Sequence, residues 1–388
     1  MSHHGLTRAL ALLVLAACGE SSGPNEDGEG ATLSGTVRSA VTSAALPDAR
    51  VSIGTRQATS DQNGRFSLTD VPVGAATVRA ERAGYQAEEA AVTVSAGANT
   101  RDFALSPREI YEAAGTATFV PAAAATLRGA IIILGGPVAS GFVTGERLTP
   151  ATSSPELESS LQDLGAGLRE LAATSSVAIL GSSTTGMANS STSDDQLFAA
   201  LSSAAEASGH PELANAPVLV FGLSAGAREA SGLASRNPGR AIGLLVRVPS
   251  DVSTLTGAAL DVPTFVMQAA LDEVVSNFSV RTKFASNRAL GGLWSLAVEP
   301  GVGHSMASAR GNSAALNWIR WTLDLRLPAT AGDPLVTLDE ASGWLGNQGT
   351  LEIAPWAEYP EGRQTASWLL SELAAASWKA LGTAEGGE

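Results

Sequence analysis

A mostly parallel β-sheet with helices on both faces, preceded by a small all-β sandwich, is the architecture the sequence predicts. Two observations carry the prediction. Beyond Pro107, apolar runs of strand length alternate with stretches long enough for helices, which is the pattern of a buried α/β sheet. Before Pro107, short β-branched segments follow one another between turn residues, with no room for helices among them. At 388 residues, 44% hydrophobic and 16% charged, the chain is globular and long enough for two or three domains. A net charge of -14, without clustered Lys and Arg, excludes nucleic acid as a partner, because phosphate contacts need such clusters.

The first residues read as a targeting segment rather than as structure. One cation, Arg8, precedes the apolar run Ala9 to Ala17, which at nine residues is too short for the roughly 20 that span a bilayer as a helix. The end of this run, Leu15-Ala16-Ala17-Cys18, resembles the bacterial lipobox, whose cysteine is lipidated and becomes the new N-terminus. Cys18 is the only cysteine in the chain and so has no internal disulfide partner. The resemblance implies cleavage after residue 17 and a lipid anchor at Cys18. With Gly19 rather than Asp next to it, it further implies the outer membrane of a Gram-negative cell. Residues 18–30 are polar, acidic and free of large apolar side chains, which suits a flexible tether holding the folded part off the membrane.

Candidate strands in the next segment are Leu33–Val37, Arg50–Ile53, Arg65–Leu68, Ala76–Ala80, Glu89–Val94 and Thr100–Leu105. Asp61-Gln62-Asn63-Gly64 reads as a hairpin turn, with Phe66 pointing inward on the returning strand. Together with Pro47-Asp48-Ala49, Val71-Pro72-Val73-Gly74 and Gly84-Tyr85, these residues resemble the carboxypeptidase regulatory-like domain, a transthyretin-like sandwich, over 31–106. Having neither His nor Cys, the segment carries no catalytic cluster and is expected to act as a spacer or weak binding module, ahead of a specific glycan-binding role.

The second domain, 107–327, is predicted to hold strands at Leu127–Leu134, Ser176–Leu180, Val218–Leu223, Ile242–Val248, Thr264–Gln268 and Trp294–Val298. Helices are expected over Pro155–Ala172, Asp194–Ser208, Ala225–Ser235, Asn277–Leu290 and Asn312–Leu325. The remainder, 328–388, is rich in tryptophan. Its tryptophans admit an aromatic substrate platform, but Ala366, Leu369, Leu370, Leu373, Ala376 and Ala380 stand at near-helical spacing there and predict instead one helix packing on the core.

Ligands of such sheets gather at the carboxyl ends of the strands. At one of those ends the apolar run Val218–Leu223 breaks into Gly222-Leu223-Ser224-Ala225-Gly226, a Gly-x-Ser-x-Gly turn followed by a helix. A serine hydroxyl is a weak nucleophile at neutral pH and needs a base. The chain has four histidines: His3 and His4 fall in the targeting segment, and His210 precedes the serine's strand. His304, in Gly303-His304-Ser305 after the strand Trp294–Val298, is therefore the candidate base. The acid that orients it is read as Asp272, just past Thr264–Gln268, ahead of Asp251 and the adjacent Glu273. Two backbone N–H donors are needed for the oxyanion. Ala225 follows the nucleophile, and Gly136 lies in Gly135-Gly136-Pro137 after another strand; Pro137 lacks an N–H, which leaves Val138 in reserve.

The series strand-GGP, strand-GLSAG, strand-Asp, strand-GH resembles the α/β-hydrolase superfamily over about 127–325. Leu134 and Ala227 depart from residues common in that family, without removing a catalytic atom. The resemblance implies a serine hydrolase, most readily a carboxylic ester hydrolase working through Ser224, His304 and Asp272 on a small acyl ester. The alternatives are a peptidase of the same fold and a surface binding protein that keeps the scaffold without the activity. Neither metal nor organic cofactor is expected, because metal-site spacings are absent.

Overall fold

The computed structural model describes residues 30–113, 115–145, 155–182, 190–304, 308–360 and 362–382. Cys18, the tether up to residue 29, His3 and His4 lie outside the described residues.

The sandwich is built from β1 (Ala31–Ser39), β2 (Arg50–Ile53), β3 (Arg56–Thr59), β4 (Arg65–Val71), β5 (Gly74–Glu81), β6 (Glu88–Val94), β7 (Ala98–Thr100) and β8 (Phe103–Leu105). One sheet places β1 between β4 and the pair β7 and β8; the other runs β3-β2-β5-β6. Alternation decides which side chains fill the space between them: Leu33, Val37, Val51, Ile53, Phe66, Leu68, Val78 and Phe103 are buried, and their neighbours along each strand largely face out. Two expectations are corrected. The turn at Asp61–Gly64 forms, with the Asp61 carboxylate accepting the N–H groups of Asn63 and Arg65, but the strands it joins, β3 and β4, lie in opposite sheets. What reads as one strand over Thr100–Leu105 is two, because the Asp102 carboxylate takes the Thr36 N–H and hydroxyl from β1 and interrupts the ladder.

Eight strands form the large sheet: β9 (Ile110–Ala113), β10 (Thr116–Phe119), β11 (Gly129–Leu134), β12 (Val177–Ser182), β13 (Val218–Leu223), β14 (Ala241–Arg247), β15 (Thr264–Ala269) and β16 (Trp294–Glu299). Their order is β16-β15-β14-β13-β11-β12-β10-β9. All neighbours from β16 to β12 are parallel, and β10 and β9 add antiparallel pairs at one edge. These two edge strands, four residues each, were not read as strands in the sequence. Strands β11 to β15 are buried along their whole length, which explains why they read as unbroken apolar runs. The helices α1 (Pro137–Thr144), α2 (Pro155–Ser175) and α6 (Ala309–Arg326) cover one face. On the other face lie α3 (Ser191–Ser208), α4 (Gly226–Arg236) and α5 (Asn277–Ala289). Because the chain passes from β11 to β12 on one side and returns to β13 on the other, the crevice of the sheet opens between the ends of β11 and β13.

The sandwich docks at the opposite end of the sheet. Gly84 donates its N–H to Ala207 O at the C-terminus of α3 (2.9 Å) and accepts the Arg108 N–H (2.8 Å). The end of α3 leads into the start of β13, so the sandwich meets the edge remote from Ser224 and does not line its site.

The extension forms a small antiparallel sheet, β18-β17-β19, from β17 (Trp344–Gly346), β18 (Ile353–Pro355) and β19 (Ser367–Leu369), then α7 (Glu372–Gly382). It covers the free edge of β16. The Leu296 N–H donates to Ser367 Oγ (2.9 Å), and the Leu296 carbonyl accepts from Trp378 Nε1 (2.6 Å) and Gln348 Nε2 (2.7 Å). An edge strand left bare would be a template for pairing with another chain, and this covering removes that hazard. The expected single helix is corrected. Ala366, Leu369 and Leu370 belong to β19 and its flanks, whereas the buried face of α7 is Ala374, Ala375, Trp378 and Leu381. Leu373, at 66% exposure, points to solvent. The spacing misled because apolar residues of a strand and of the following helix happened to fall into one helical rhythm.

Candidate active site

Strand β13 ends at Leu223, and the chain reverses at Ser224 to enter α4. The reversal demands small residues. A Cβ on Gly226 would stand 2.2 Å from Leu134 O, and one on Gly222 would stand 2.6 Å from the Ala227 Cα. Ser224 itself holds φ at 49°, a left-handed conformation that costs a non-glycine residue about 1–3 kcal/mol. Neighbouring backbone compensates. The Ser224 N–H donates to Arg247 O (3.1 Å), and its carbonyl accepts from Ala227 N–H (3.1 Å), Ser250 N–H (3.1 Å) and Ser250 Oγ (3.2 Å). Ser250 thus braces the turn from the loop after β14; nothing in the sequence marked it.

His304 stands on the loop after β16, and Asp272 on the loop after β15. The two loops are tied by hydrogen bonds from Ala270 N–H to Glu299 O and from Leu271 N–H to Val302 O, both 2.9 Å. Side chains then form one line: Ser224 Oγ lies 2.8 Å from His304 Nε2, and His304 Nδ1 lies 2.8 Å from Asp272 Oδ2. The other oxygen, Asp272 Oδ1, accepts the N–H groups of Val274 (2.9 Å) and Val275 (3.1 Å), and the carboxylate is sealed from solvent. Burial pushes the Asp272 carboxyl up. The hydrogen bond from His304, the two backbone N–H groups and the histidine's charge outweigh that and hold it below the ordinary value of 3.8. An ionised acceptor on Nδ1 leaves Nε2 free to take a proton from the serine.

The rival acids stand elsewhere. Asp251 pairs with Lys283 Nζ at 2.5 Å, and Glu273 is exposed. His210 bonds Glu212 (2.9 Å), which also accepts the Leu127 N–H two residues before β11, so it sits at the wrong end of the sheet for Ser224.

The turn after β11 packs against the serine's turn: the sites for a Cβ on Gly135 and on Gly226 fall against Leu223 and Leu134 respectively. Gly136, at φ 68° and ψ -148°, occupies backbone space open only to glycine, and it caps α1, a helix the sequence did not announce. Ala225, at φ -59°, leads into α4. Among the described residues neither the Gly136 nor the Ala225 N–H donates to a protein acceptor. Val138 lies within the first turn of α1.

An eight-stranded sheet in this order, with its reversal between β11 and β13 and a serine turn at the crevice, is an α/β-hydrolase fold. The sandwich matches the family model of the carboxypeptidase regulatory-like domain over residues 32–106. Among solved structures, the chain is similar to an interface mutant of a type II cohesin–X-dockerin complex from Acetivibrio cellulolyticus. That likeness has 28% identity and a TM-score of 0.19, and covers 21% of this chain and 60% of that one. Esterase PE8 is similar at 15% identity and a TM-score of 0.36, over 55% of this chain and 99% of that one. A zinc-bound, cold-adapted esterase from an Arctic intertidal metagenomic library is similar at 13% identity and a TM-score of 0.32, over 54% and 87%. No curated protein matches the chain. Likenesses this distant leave substrate and mechanism to the residues themselves.

Proposed function

We propose that the protein is a serine hydrolase that cleaves carboxylic esters through an acyl-enzyme. The observation that supports the reading most is the continuous line from Ser224 Oγ through the His304 imidazole to the Asp272 carboxylate. In this reading Ser224 Oγ attacks the acyl carbon as its proton passes to His304 Nε2. The carbonyl oxygen becomes an oxyanion facing the N–H groups of Ala225 and Gly136. As the C–O bond to the alcohol breaks, the imidazolium returns the proton to the leaving oxygen. Water, deprotonated by the same nitrogen, then attacks the acyl-serine, and the acid departs with Ser224 restored. Asp272 keeps Nδ1 protonated throughout.

A fluorophosphonate probe tests the reading directly. It is expected to label the purified protein at Ser224 and to leave folded Ser224→Ala unlabelled; a folded wild type that resists the probe would sink the assignment. A lipid anchor at Cys18 on the outer membrane completes the proposal, supported by the lipobox-like Leu15-Ala16-Ala17-Cys18. Cells fed labelled palmitate are expected to incorporate it into the wild type and not into Cys18→Ala, and equal labelling of both would remove the anchor.

A further inference from the structure

Directly behind the site lies a buried ion pair that the chemistry above does not use. Arg247 is the last residue of β14 and Glu299 the last of β16, with exposures of 2% and 3%. Strand β15 runs between them, so at about 4.8 Å per strand their backbones stand roughly 10 Å apart and only long side chains can meet across its end. Arg247 Nη2 comes to 3.9 Å from Glu299 Oε2.

Each partner makes two contacts, one through its backbone to a loop of the site and one through its side chain to the N-terminal end of α6. The Arg247 carbonyl accepts the Ser224 N–H, while its Nη1 donates to Asn312 Oδ1 (2.5 Å) in the first turns of α6. The Glu299 carbonyl accepts the Ala270 N–H, two residues before Asp272, while its Oε1 accepts the hydroxyl of Ser308. Ser308 is four residues past His304 and caps α6, its Oγ accepting the Gly311 N–H (3.0 Å). The fit is tight: a Cβ on Gly311 would lie 2.5 Å from both Arg247 Nη2 and Glu299 Oε2. Asn312 and Ser308 are further moored to Ser160 of α2 (2.7 and 3.2 Å).

Stability does not explain such a pair. Burying two charges strips each of its hydration, and apolar residues of similar volume commonly serve the fold as well or better. Burial here lowers the Arg247 pKa to about 10, against the pull of Glu299, which leaves the guanidinium charged at neutral pH. What apolar residues could not do is fix direction, because only ions and hydrogen bonds specify which atoms meet.

Resting on the serine-hydrolase reading, we infer that Arg247 and Glu299 are positioning residues that set the nucleophile, base and acid loops in mutual register. Glu299→Gln keeps the shape and the acceptor for Ser308 and removes only the charge. It is expected to lower kcat on a nitrophenyl ester 10- to 100-fold with KM within twofold. In the wild type, the proton on His304 Nδ1 shared with Asp272 should give a low-field NMR resonance, and in Glu299→Gln that resonance should shift or broaden. The double variant Arg247→Met/Glu299→Met should melt close to the wild type yet keep the low kcat, which a purely structural pair would not do. Should Glu299→Gln fail to fold, Ser308→Ala carries the same test with a smaller loss. Folded variants with wild-type kcat and an unmoved resonance overturn the inference. Because the resonance needs no turnover, an inert wild type would refute the esterase reading while the geometry could still be judged.

Discussion

Replacing His304 with alanine is expected to lower kcat on short nitrophenyl esters by about 10⁴- to 10⁶-fold, with secondary structure and melting temperature close to the wild type. The magnitude follows from the chemistry. A serine hydroxyl keeps its proton at neutral pH, and among the described residues the imidazole is the group within hydrogen-bond reach of Ser224 Oγ, at 2.8 Å. The imidazole is partly exposed, at 22%, so its removal opens no deep cavity and the fold should tolerate it. Ser224→Ala should fall as far, and the double variant no further, because the two groups act as one device and their losses do not add. Steady-state rates on the three proteins decide it. If His304→Ala kept a tenth or more of wild-type kcat, proton transfer would have to run through another group, and the site as described would be wrong.

Asp272→Asn is expected to cost about 10⁴-fold in kcat while leaving the loop in place. The asparagine carbonyl can still accept from Val274 and Val275, so the geometry persists. Its amide, however, donates where the carboxylate accepted, and the imidazole must then carry its proton on Nε2, facing the serine. In that tautomer it is no base. The same carboxyl makes a prediction for acid stability. Its pKa in the folded chain lies below the ordinary 3.8, so its contribution is complete above that value and is lost as pH falls through the folded-state value. Acid unfolding followed by circular dichroism should therefore show a wild-type advantage over Asp272→Asn at neutral pH that disappears at the acid end. An advantage that grew on acidification would contradict the ionised, hydrogen-bonded carboxylate.

Several parts of this protein are legible in its amino-acid sequence. The central strands β11 to β15 were legible because strands of a parallel sheet buried on both faces read as near-continuous apolar runs. Gly222, Ser224 and Gly226 were legible as a turn because the close approaches at Leu134 and Ala227 admit only glycine. His304 followed from the scarcity of histidine. Strands β9 and β10 escaped the sequence reading, and α7 was misplaced because one apolar rhythm ran across a strand and a helix.

Local sequence thus determined the kinds of element, the sharp turn at Ser224 and the short roster of groups able to do acid–base work, since these depend on the size, polarity and backbone freedom of adjacent residues. The tertiary structure alone decided that Ser250 braces the serine and that Arg247 reaches Glu299 over the end of β15, and it brought Asp272, already ranked first in the sequence, rather than Asp251 or Glu273 to the imidazole. Those meetings join residues tens of positions apart whose separation in space is set by strand order. Strand order comes from the packing of the whole sheet, and no short stretch of chain encodes it.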